Sequence, residues 1–282
     1  MAKIPIRFGW FVLAVALSLS CQWLGKQAGT VDVASTNRNV RFGVPVWTRA
    51  KRPAREETTI ERDEYVLSYN DATKTANWVS WQLTKGDIGD APRSSFEADD
   101  RLPTGFLRVT GATYEGSGFD RGHLCNSKDR TSSPEANDAT FVMSNIVPQA
   151  PNCNQRGWEE FESYCRTLAK RGSELHIVAG PYGVGGEGSK GERDFIGKGE
   201  VQVTVPAFLW KAVLVLKDGE TAPNRDTRTI GIWMPNDQSI DGDWKKHIVT
   251  VADIEKRSGY RPYPLVNDSV ARTITSRRDS GE

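Results

Sequence analysis

Runs of β-branched and aromatic residues recur along the chain, and polar turn regions separate them. Such runs are typical of strands, because branched and aromatic side chains pack well on a pleated, half-buried surface. The first two runs flank a short polar turn region and are predicted to pair. We predict strands over Glu64–Asn70, Asn77–Thr84, Glu174–Gly180, Glu200–Pro206, Phe208–Leu216 and Thr229–Pro235.

One stretch, NQRGWEEFESYCRTLAKRG, has the periodicity of an amphipathic helix. Its apolar stripe consists of Trp158, Phe161, Cys165 and Leu168. Asn154 stands at the helix start, where Asn is a favoured cap, and Gly172 follows two basic residues as a C-terminal stop should. A second, shorter helix is predicted to begin at Thr250, with Asp253 in the capping-box position.

Strands on both sides of one major helix predict an α+β fold, built as a single domain over residues 60–266. A chain of 282 residues with 38% hydrophobic content and nine Trp can bury a full core. Residues 21–60 are polar and charged and predict a linker, with a first ordered segment near residues 40–47. Residues 267–282 lack apolar periodicity, and we expect a loose C-terminal tail there.

The first twenty residues have the organisation of a signal peptide. Two basic residues precede FGWFVLAVALSLS, an apolar run too short to predict a membrane span. Ser18 and Ser20 supply the small residues expected before a cut ahead of Cys21. We therefore expect residues 1–20 to be removed and the protein to be exported from a bacterium, as a periplasmic, secreted or membrane-anchored protein. Lipid attachment at Cys21 stays open, since Leu19 stands two positions before the cysteine and the usual lipoprotein signal has leucine three before it.

The charge balance does not indicate a nucleic-acid binder. The formal net charge is +1, but the first thirty residues hold three basic residues and no acid, which leaves 34 basic and 36 acidic residues in the remainder. Binding to nucleic acid would therefore depend on a local basic patch, which net charge does not exclude.

One of only three histidines lies in SGFDRGHLCNSKDRTSS, residues 117–133. This segment crowds opposite charges around His123 and has almost no hydrophobic periodicity, so we expect a loop that is either solvated surface or a site. Asn154 and Glu162 lie on the predicted helix beside its buried stripe, about two turns apart. An Asn oxygen, a carboxylate and a neutral imidazole suit an oxygen-ligated divalent ion with a proton acceptor nearby.

Three ordered blocks resemble one known family. DRGH at 120–123, SNIVPQ at 144–149 and NQRGWEEFE at 154–162 are similar to the DNA/RNA non-specific endonucleases. These are ββα-metal (His-Me finger) nucleases, which include mitochondrial endonuclease G and secreted bacterial nucleases. The resemblance extends over about residues 60–262, most closely to the secreted bacterial branch. It implies a central antiparallel sheet with flanking helices in a single domain.

The resemblance implies roles for four residues at the centre of the site. His123 matches the general base of the family, and Asn154 matches its only direct protein ligand to Mg²⁺, for which Mn²⁺ is an expected substitute. Glu162 matches the acid that contacts the ion through water. Arg93 matches the arginine that stabilises the transition-state charge and contacts the nucleic acid.

Four further polar residues are implied around this centre: Asp120, Arg121, Asn145 and Arg166. Asp120 and Arg121 belong to the catalytic motif, the arginine on the side of the phosphate. Asn145 lies in the SNI block, and Arg166, one turn after Glu162, is the weaker of the candidates for contacts to nucleic acid. One departure is local, since this chain has Asn126 where secreted relatives often have Pro.

The activity implied is that of a sugar-nonspecific endonuclease, which hydrolyses phosphodiester bonds of DNA and RNA. Water rather than a ribose hydroxyl is the nucleophile, so the sugar does not decide the chemistry. The expected products carry 5′-phosphate and 3′-hydroxyl ends. Contacts to phosphates carry no sequence information, so little base specificity is expected. Besides DNA and RNA, a cognate protein inhibitor is a further partner that the sequence leaves open.

A zinc site is one alternative, since four ligand-type residues lie in this part of the chain: His123, Cys125, Cys153 and Cys165. Their spacing matches no zinc motif, and Cys165 lies on the apolar stripe of the helix. In an exported protein, a disulfide among the three cysteines is favoured over zinc, with one thiol left over.

A non-catalytic protein on the same fold, which binds nucleic acid or a partner, is the other alternative. Such a protein would be expected to have lost His123, Asn154 or Glu162, and this chain keeps all three. His176 and His247 have no partner motif and are interpreted as structural.

Overall fold

The structure, a computed structural model, describes Met1 and residues 37–282. The predicted signal peptide, Cys21 and the first part of the predicted linker lie outside the described residues. Residues 37–282 lie within one compact unit. Within residues 37–282, no helix combines the length and the apolar character needed to cross a bilayer.

The strands in the described part of the chain are β1 (Val46–Trp47), β2 (Thr58–Glu61), β3 (Val66–Asn70), β4 (Thr75–Leu83), β5 (Asp120–His123), β6 (Ile146–Gln149), β7 (Glu174–Tyr182), β8 (Gly186–Gly188), β9 (Gly191–Arg193), β10 (Phe195–Lys198), β11 (Val201–Thr204), β12 (Phe208–Leu216), β13 (Arg228–Pro235), β14 (Ile248–Val249) and β15 (Tyr260–Arg261). The α-helices are α1 (Pro134–Asp138), α2 (Glu159–Lys170), α3 (Val251–Ser258) and α4 (Asp268–Thr275), and a π-helical segment, Cys153–Trp158, leads into α2.

A seven-stranded antiparallel sheet forms the centre, in the order β14-β13-β12-β7-β4-β3-β2. Both of its faces are buried. On β12, Leu209 and Val213 belong to the core that α2 covers, whereas Trp210 and Leu214 belong to the core on the side of α3 and α4. Burial on both faces explains why β12 is an almost continuous apolar run rather than an alternating one.

The structure confirms the α+β prediction and all six predicted strands, with ends that differ by a few residues. Five of the six belong to the seven-stranded sheet, and the strand predicted over Glu200–Pro206 is β11, which pairs with β10 in a separate ribbon. The apolar stripe of the predicted helix packs on the sheet, with Leu168 only partly buried. Gly172 follows the helix with a φ of 103°, a left-handed conformation that glycine adopts without strain. Thr250 caps α3, and its side chain and Asp253 form the predicted capping box.

The loop expected around His123 is in part a strand. Residues 120–123 form β5, which pairs antiparallel with β6, so that Asp120 faces Gln149 and His123 faces Ile146. Backbone pairing does not require apolar side chains, and hydrophobic periodicity therefore gave no signal. This ribbon and the helix that follows it form a ββα unit.

The two ends of the predicted domain also carry more structure than expected. Residues 268–275 of the predicted loose tail form α4, because Ala271 and Ile274 are buried against the sheet and Asn267 caps the helix. At the other end, β1 lies in the first ordered segment predicted near residues 40–47, whereas β2, an edge strand of the main sheet, begins within the predicted linker.

Candidate active site

The ββα unit brings most of the candidate residues to one pocket. β5 carries Asp120 at its start and His123 at its end, and the following helix carries Asn154 and Glu162. The pocket is lined by Arg93, Arg121, His123, Asn126, Ser127, Lys128, Asn154, Gln155, Glu159 and Glu162. An adjoining depression shares Arg93, Arg121 and Asn154 and adds Asp120. Residues separated by up to about seventy positions along the chain therefore face one space.

The His123 ring is only 8% exposed and packs between two aromatic side chains. The ring centroids of Phe141 and Phe96 lie 4.8 and 5.4 Å from its own. Burial, and then the charges of Arg93 and Lys211, lower the pKa of His123 to about 3. The imidazole is therefore neutral at neutral pH. Nε2 has no hydrogen-bond partner among the described residues, which leaves the ring free of a structural hydrogen bond at that atom.

Asn154 lies inside the π-helical segment and does not cap the helix, contrary to the prediction. The helical backbone begins earlier, at Pro151, so that Asn154 already donates its backbone N–H to the Ala150 carbonyl at 2.9 Å. Its side-chain Nδ2 donates to Asp120 Oδ2 at 2.8 Å. No donor within residues 37–282 engages Oδ1, so this oxygen is available to a ligand. Single π-turns inside helices are frequent at functional sites.

Asp120 fixes the orientation of the amides on the helix. Its Oδ2 accepts from Asn154 Nδ2 and from Gln155 Nε2, each at 2.8 Å. Since the amide nitrogen of Asn154 is committed to Asp120, the oxygen of the same amide points the other way. Asp120 thereby positions a neighbouring group of the pocket.

Glu162 forms the floor of the pocket and is 3% exposed. Its Oε1 forms an ion pair with Lys211 Nζ, and its Oε2 accepts a hydrogen bond from Asn126 Nδ2. Burial raises the pKa of Glu162, and the charge of Lys211 opposes that effect. The carboxylate is therefore held from two sides at the bottom of the pocket.

Two arginines add positive charge at the rim. Arg93 is exposed, and its guanidinium carbon lies 5.1 Å from the centroid of the Phe141 ring. Arg121 donates from Nη2 to the Gly111 carbonyl at 3.0 Å, while its buried Nε has no partner among the described residues. Both guanidinium groups can donate to an anion that enters the pocket, because arginine presents several N–H groups in a planar fork.

The geometry thus combines a neutral imidazole, a free amide oxygen, a buried carboxylate and two guanidinium groups. Comparison with known proteins agrees with this chemistry. Residues 49–269 match the family model described as DNA/RNA non-specific endonuclease. The chain belongs to this family.

Relatives of the nuclease span several kingdoms. A protein named Nuclease from Nostoc sp. is 37% identical over 272 residues, which cover 94% of this chain and 96% of the relative. Mitochondrial Endonuclease G from Homo sapiens is 34% identical over 228 residues, 76% of this chain and 73% of the relative. Nuclease C1 from Cunninghamella echinulata is 33% identical over 217 residues, 73% of this chain and 83% of the relative. The protein is therefore a non-specific nuclease by family, a hydrolase that acts on nucleic acids.

A solved structure shares the fold of the nuclease. A chain from the crystal structure of the EndoG/EndoGI complex superposes with a TM-score of 0.69, covering 85% of this chain and 96% of that chain at 23% identity. The likeness confirms the α+β architecture with the central antiparallel sheet.

Two predicted nucleic-acid contacts do not reach the pocket of the nuclease. Asn145 is fully buried, and its amide bonds the backbone of Cys125 in both directions at 2.9 Å and donates to the Thr140 carbonyl. Arg166 is 7% exposed, and its guanidinium lies 3.2 Å from Asp129. Neither side chain lines the pocket. Asn145 instead holds the chain that follows His123.

The motifs did not indicate the two side chains that hold Glu162. Lys211 stands alone among apolar residues in FLWKAVLVL, and this isolated charge in a predicted strand was the available signal. Asn126 was noted only as a departure from the family pattern, and its contact with Glu162 gives that departure a structural consequence.

The cysteine-based alternatives find no support in the structure. Cys125, Cys153 and Cys165 are buried free thiols, so the expected disulfide among them is absent. Burial raises the pKa of each thiol. Among residues 37–282, no three His, Cys, Asp or Glu side chains are grouped so that they could hold a metal ion. These observations argue against the zinc site on His123 and the cysteines.

Proposed function

We propose that the protein is a sugar-nonspecific endonuclease, which hydrolyses phosphodiester bonds in DNA and RNA and leaves 5′-phosphate and 3′-hydroxyl ends. The observation that carries the proposal is the shared pocket, where a neutral His123 lies with the free Oδ1 of Asn154 and with Glu162. A nuclease that cuts by hydrolysis needs a proton acceptor for water and positive charge around the phosphate. The residues of this pocket provide both.

His123 acts as the general base in this proposal. Its ring is neutral at neutral pH and can accept a proton from water. The packing of Phe96 and Phe141 holds the ring in place. An oriented base is more effective than a freely rotating one, because the proton acceptor must lie within hydrogen-bond reach of the nucleophile.

Arg93 and Arg121 bind the phosphate and stabilise the charge that its oxygens gain during the reaction. Each guanidinium faces the shared pocket, and the buried Nε of Arg121 is an unsatisfied donor within the described structure. An anion that accepts this hydrogen bond would remove the cost of a buried unpaired donor. Such contacts bind the phosphate backbone of the nucleic acid and do not depend on the base sequence.

The donor set also fits a hard divalent cation. Asn154 would hold the ion directly through Oδ1, and Glu162 would hold it through water, with Mg²⁺ as the ion and Mn²⁺ as its substitute. One protein oxygen suffices, because Mg²⁺ prefers oxygen ligands and keeps several waters. When bound, such an ion supplies positive charge to the phosphate and to the leaving oxygen. The free Oδ1 beside a committed Nδ2 is the structural observation that supports this assignment.

A non-catalytic binding protein is the competing function. Phosphate binding would require the arginines of the rim but not a buried neutral histidine beside a buried carboxylate. Burying both groups is unfavourable for folding, since each must give up its hydration. Their presence in one pocket favours catalysis over binding alone.

The test measures cleavage of plasmid DNA and of RNA against Mg²⁺ concentration, with EDTA as the metal-free condition. His123→Ala should reduce turnover by roughly 10²–10⁴-fold at every Mg²⁺ concentration, since it removes the base. Asn154→Ala should also lose turnover, but excess Mg²⁺ should recover part of the rate. Arg93→Ala should lower the rate with little change in metal dependence.

The control is His247→Ala, which removes a partly exposed histidine outside the pocket and should cleave like the unmodified protein. Undiminished cleavage in EDTA would contradict the metal assignment. Rescue of His123→Ala alone by excess metal would make His123 a ligand rather than a base.

A further inference from the structure

Lys211 is a charged residue buried in the core beneath the pocket. It lies in the middle of β12, is 1% exposed, and projects from the face that also carries Leu209 and Val213. Its Nζ lies 4.3 Å from the centroid of the Trp158 ring and 5.5 Å from that of Trp81. The ammonium is therefore enclosed by aromatic faces, apart from its contact with Glu162.

The contact of Lys211 leads directly to the pocket. Nζ forms an ion pair with Oε1 of Glu162, whereas Oε2 accepts from Asn126 Nδ2 at the rim. Two different elements thus fix the two carboxylate oxygens. Lys211 on β12 holds Oε1 from below, and Asn126, in the segment after β5, holds Oε2 from above. A carboxylate held at both oxygens cannot rotate freely about its last side-chain bond.

Folding alone does not explain this arrangement. Taking an ammonium and a carboxylate out of water costs several kcal/mol for each ion in real proteins, and replacing a buried pair by apolar residues is often neutral or stabilising. A methionine would fill the same space between the two tryptophans. At 1% exposure, Lys211 also cannot touch a substrate. Its charge therefore has a role that acts through Glu162.

We propose that Lys211 is a positioning residue, which holds the Glu162 carboxylate in a fixed orientation at the floor of the pocket that Asn154 also lines. The inference rests on the proposed function, because in that function Glu162 holds the divalent cation through water. Removing the ammonium releases one carboxylate oxygen, and the cation site loses a fixed element. Residues that hold a metal ligand in place without touching the metal typically contribute about 10–100-fold in metal affinity or activity.

The experiment is a double-mutant cycle on Lys211→Met and Glu162→Gln, with two measurements on every protein. Calorimetric titration with Mn²⁺ alone reports cation affinity without any nucleic acid. Plasmid cleavage at saturating Mn²⁺ gives kcat and KM. Lys211→Met should weaken Mn²⁺ binding and lower kcat by about 10–100-fold, with KM for DNA unchanged. The double variant should match Glu162→Gln within about twofold, because Lys211 has no further effect once its carboxylate partner is gone.

A matched control separates this role from a general loss of stability. Arg62→Met breaks another buried ion pair, with Asp99 at 2.6 Å, outside the pocket. It should lower the melting temperature but leave Mn²⁺ affinity and kcat unchanged. Equal effects of Arg62→Met and Lys211→Met on Mn²⁺ binding would overturn the proposal, as would losses that multiply in the double variant.

Two outcomes remain decisive even where one variant fails. If Lys211→Met does not fold, Glu162→Gln and the double variant still decide, since an additional tenfold loss in the double variant contradicts a role through Glu162. If the unmodified protein binds Mn²⁺ but cuts no nucleic acid, the proposed function fails, while the effect of Lys211 on Mn²⁺ affinity is still measured.

Discussion

The buried neutral histidine predicts a specific dependence of stability on pH. The change is His123→Asn, which removes the titrating ring and keeps a polar side chain. Burial lowers the pKa of His123 to about 3 in the folded protein, whereas an unfolded chain has a histidine pKa of about 6.5. Below pH 6.5 the unfolded state gains a proton that the folded state does not. The free energy of unfolding therefore falls as pH falls through 6.5, and this loss ends only near pH 3.

The magnitude follows from the gap between these two pKa values. At pH 7.5 the ring is neutral in both states and contributes almost nothing. At pH 5 the ring is protonated in the unfolded state, and this protonation stabilises the unfolded state by roughly 1.4 kcal/mol for each pH unit below the pKa. Over the 1.5 units from 6.5 to 5, the unmodified protein should lose about 2 kcal/mol relative to His123→Asn.

Urea denaturation of both proteins at pH 7.5, 6.5, 5.5 and 5.0 measures this difference. EDTA is present throughout, so that binding of a cation to the folded state does not contribute. The carboxylates, His176 and His247 are common to both proteins and cancel in the comparison. Parallel pH dependence of the two unfolding free energies would show that the ring titrates normally when folded. The description of His123 as a buried, neutral base would then be wrong.

Two further predictions concern Asn145 and the N-terminus. Asn145→Ala should lower the free energy of unfolding by about 1–3 kcal/mol, because the buried backbone N–H of Cys125 loses its acceptor, and it should leave KM for DNA unchanged. A higher KM with full stability would restore Asn145 as a nucleic-acid contact. We also propose export with cleavage before Cys21, so mass spectrometry of the protein from its native host should find Cys21 at the N-terminus, unmodified or with added lipid mass. An intact Met1 would refute export.

The parts of the fold that the sequence predicts well are those whose side chains decide the structure. β12 is a long, nearly continuous apolar run, so its composition identifies it. The helix α2 buries an apolar stripe, so its periodicity identifies it. β5 is a four-residue strand with the sequence DRGH, and its pairing with β6 depends on backbone hydrogen bonds. The sequence did not indicate α4 in the predicted tail, because its eight residues include three buried ones, Ala271, Ile274 and Thr275, and two of these are apolar, which is too few for a clear stripe.

The sequence also predicted only part of the candidate site. The motifs identified His123, Asn154 and Glu162, and the structure brings all three to one pocket. Motif position does not show which way a side chain points, so Asn145 was predicted as a nucleic-acid contact although it is buried. Lys211 was missed because its partner lies 49 positions away along the chain, on an element that packs against β12 only in the folded protein.

The layer between the sheet and α2 combines activity with a cost in stability. Glu162 and Lys211 are buried there, and Trp81 Nε1 donates to Asp129 at 3.1 Å beside the Asp129–Arg166 pair. Buried charges are tolerated only where their partners are complete, since one unpaired member destabilises the fold by several kcal/mol. Loss of activity in a variant of this layer therefore combines a chemical effect with a folding effect. Arg93 is exposed at the rim and has no ion-pair partner among the described residues, so its removal should disturb the fold less than the removal of a buried charge. Its effect on turnover would then report its contacts in the pocket, namely the proposed contact with the phosphate and its charge beside His123.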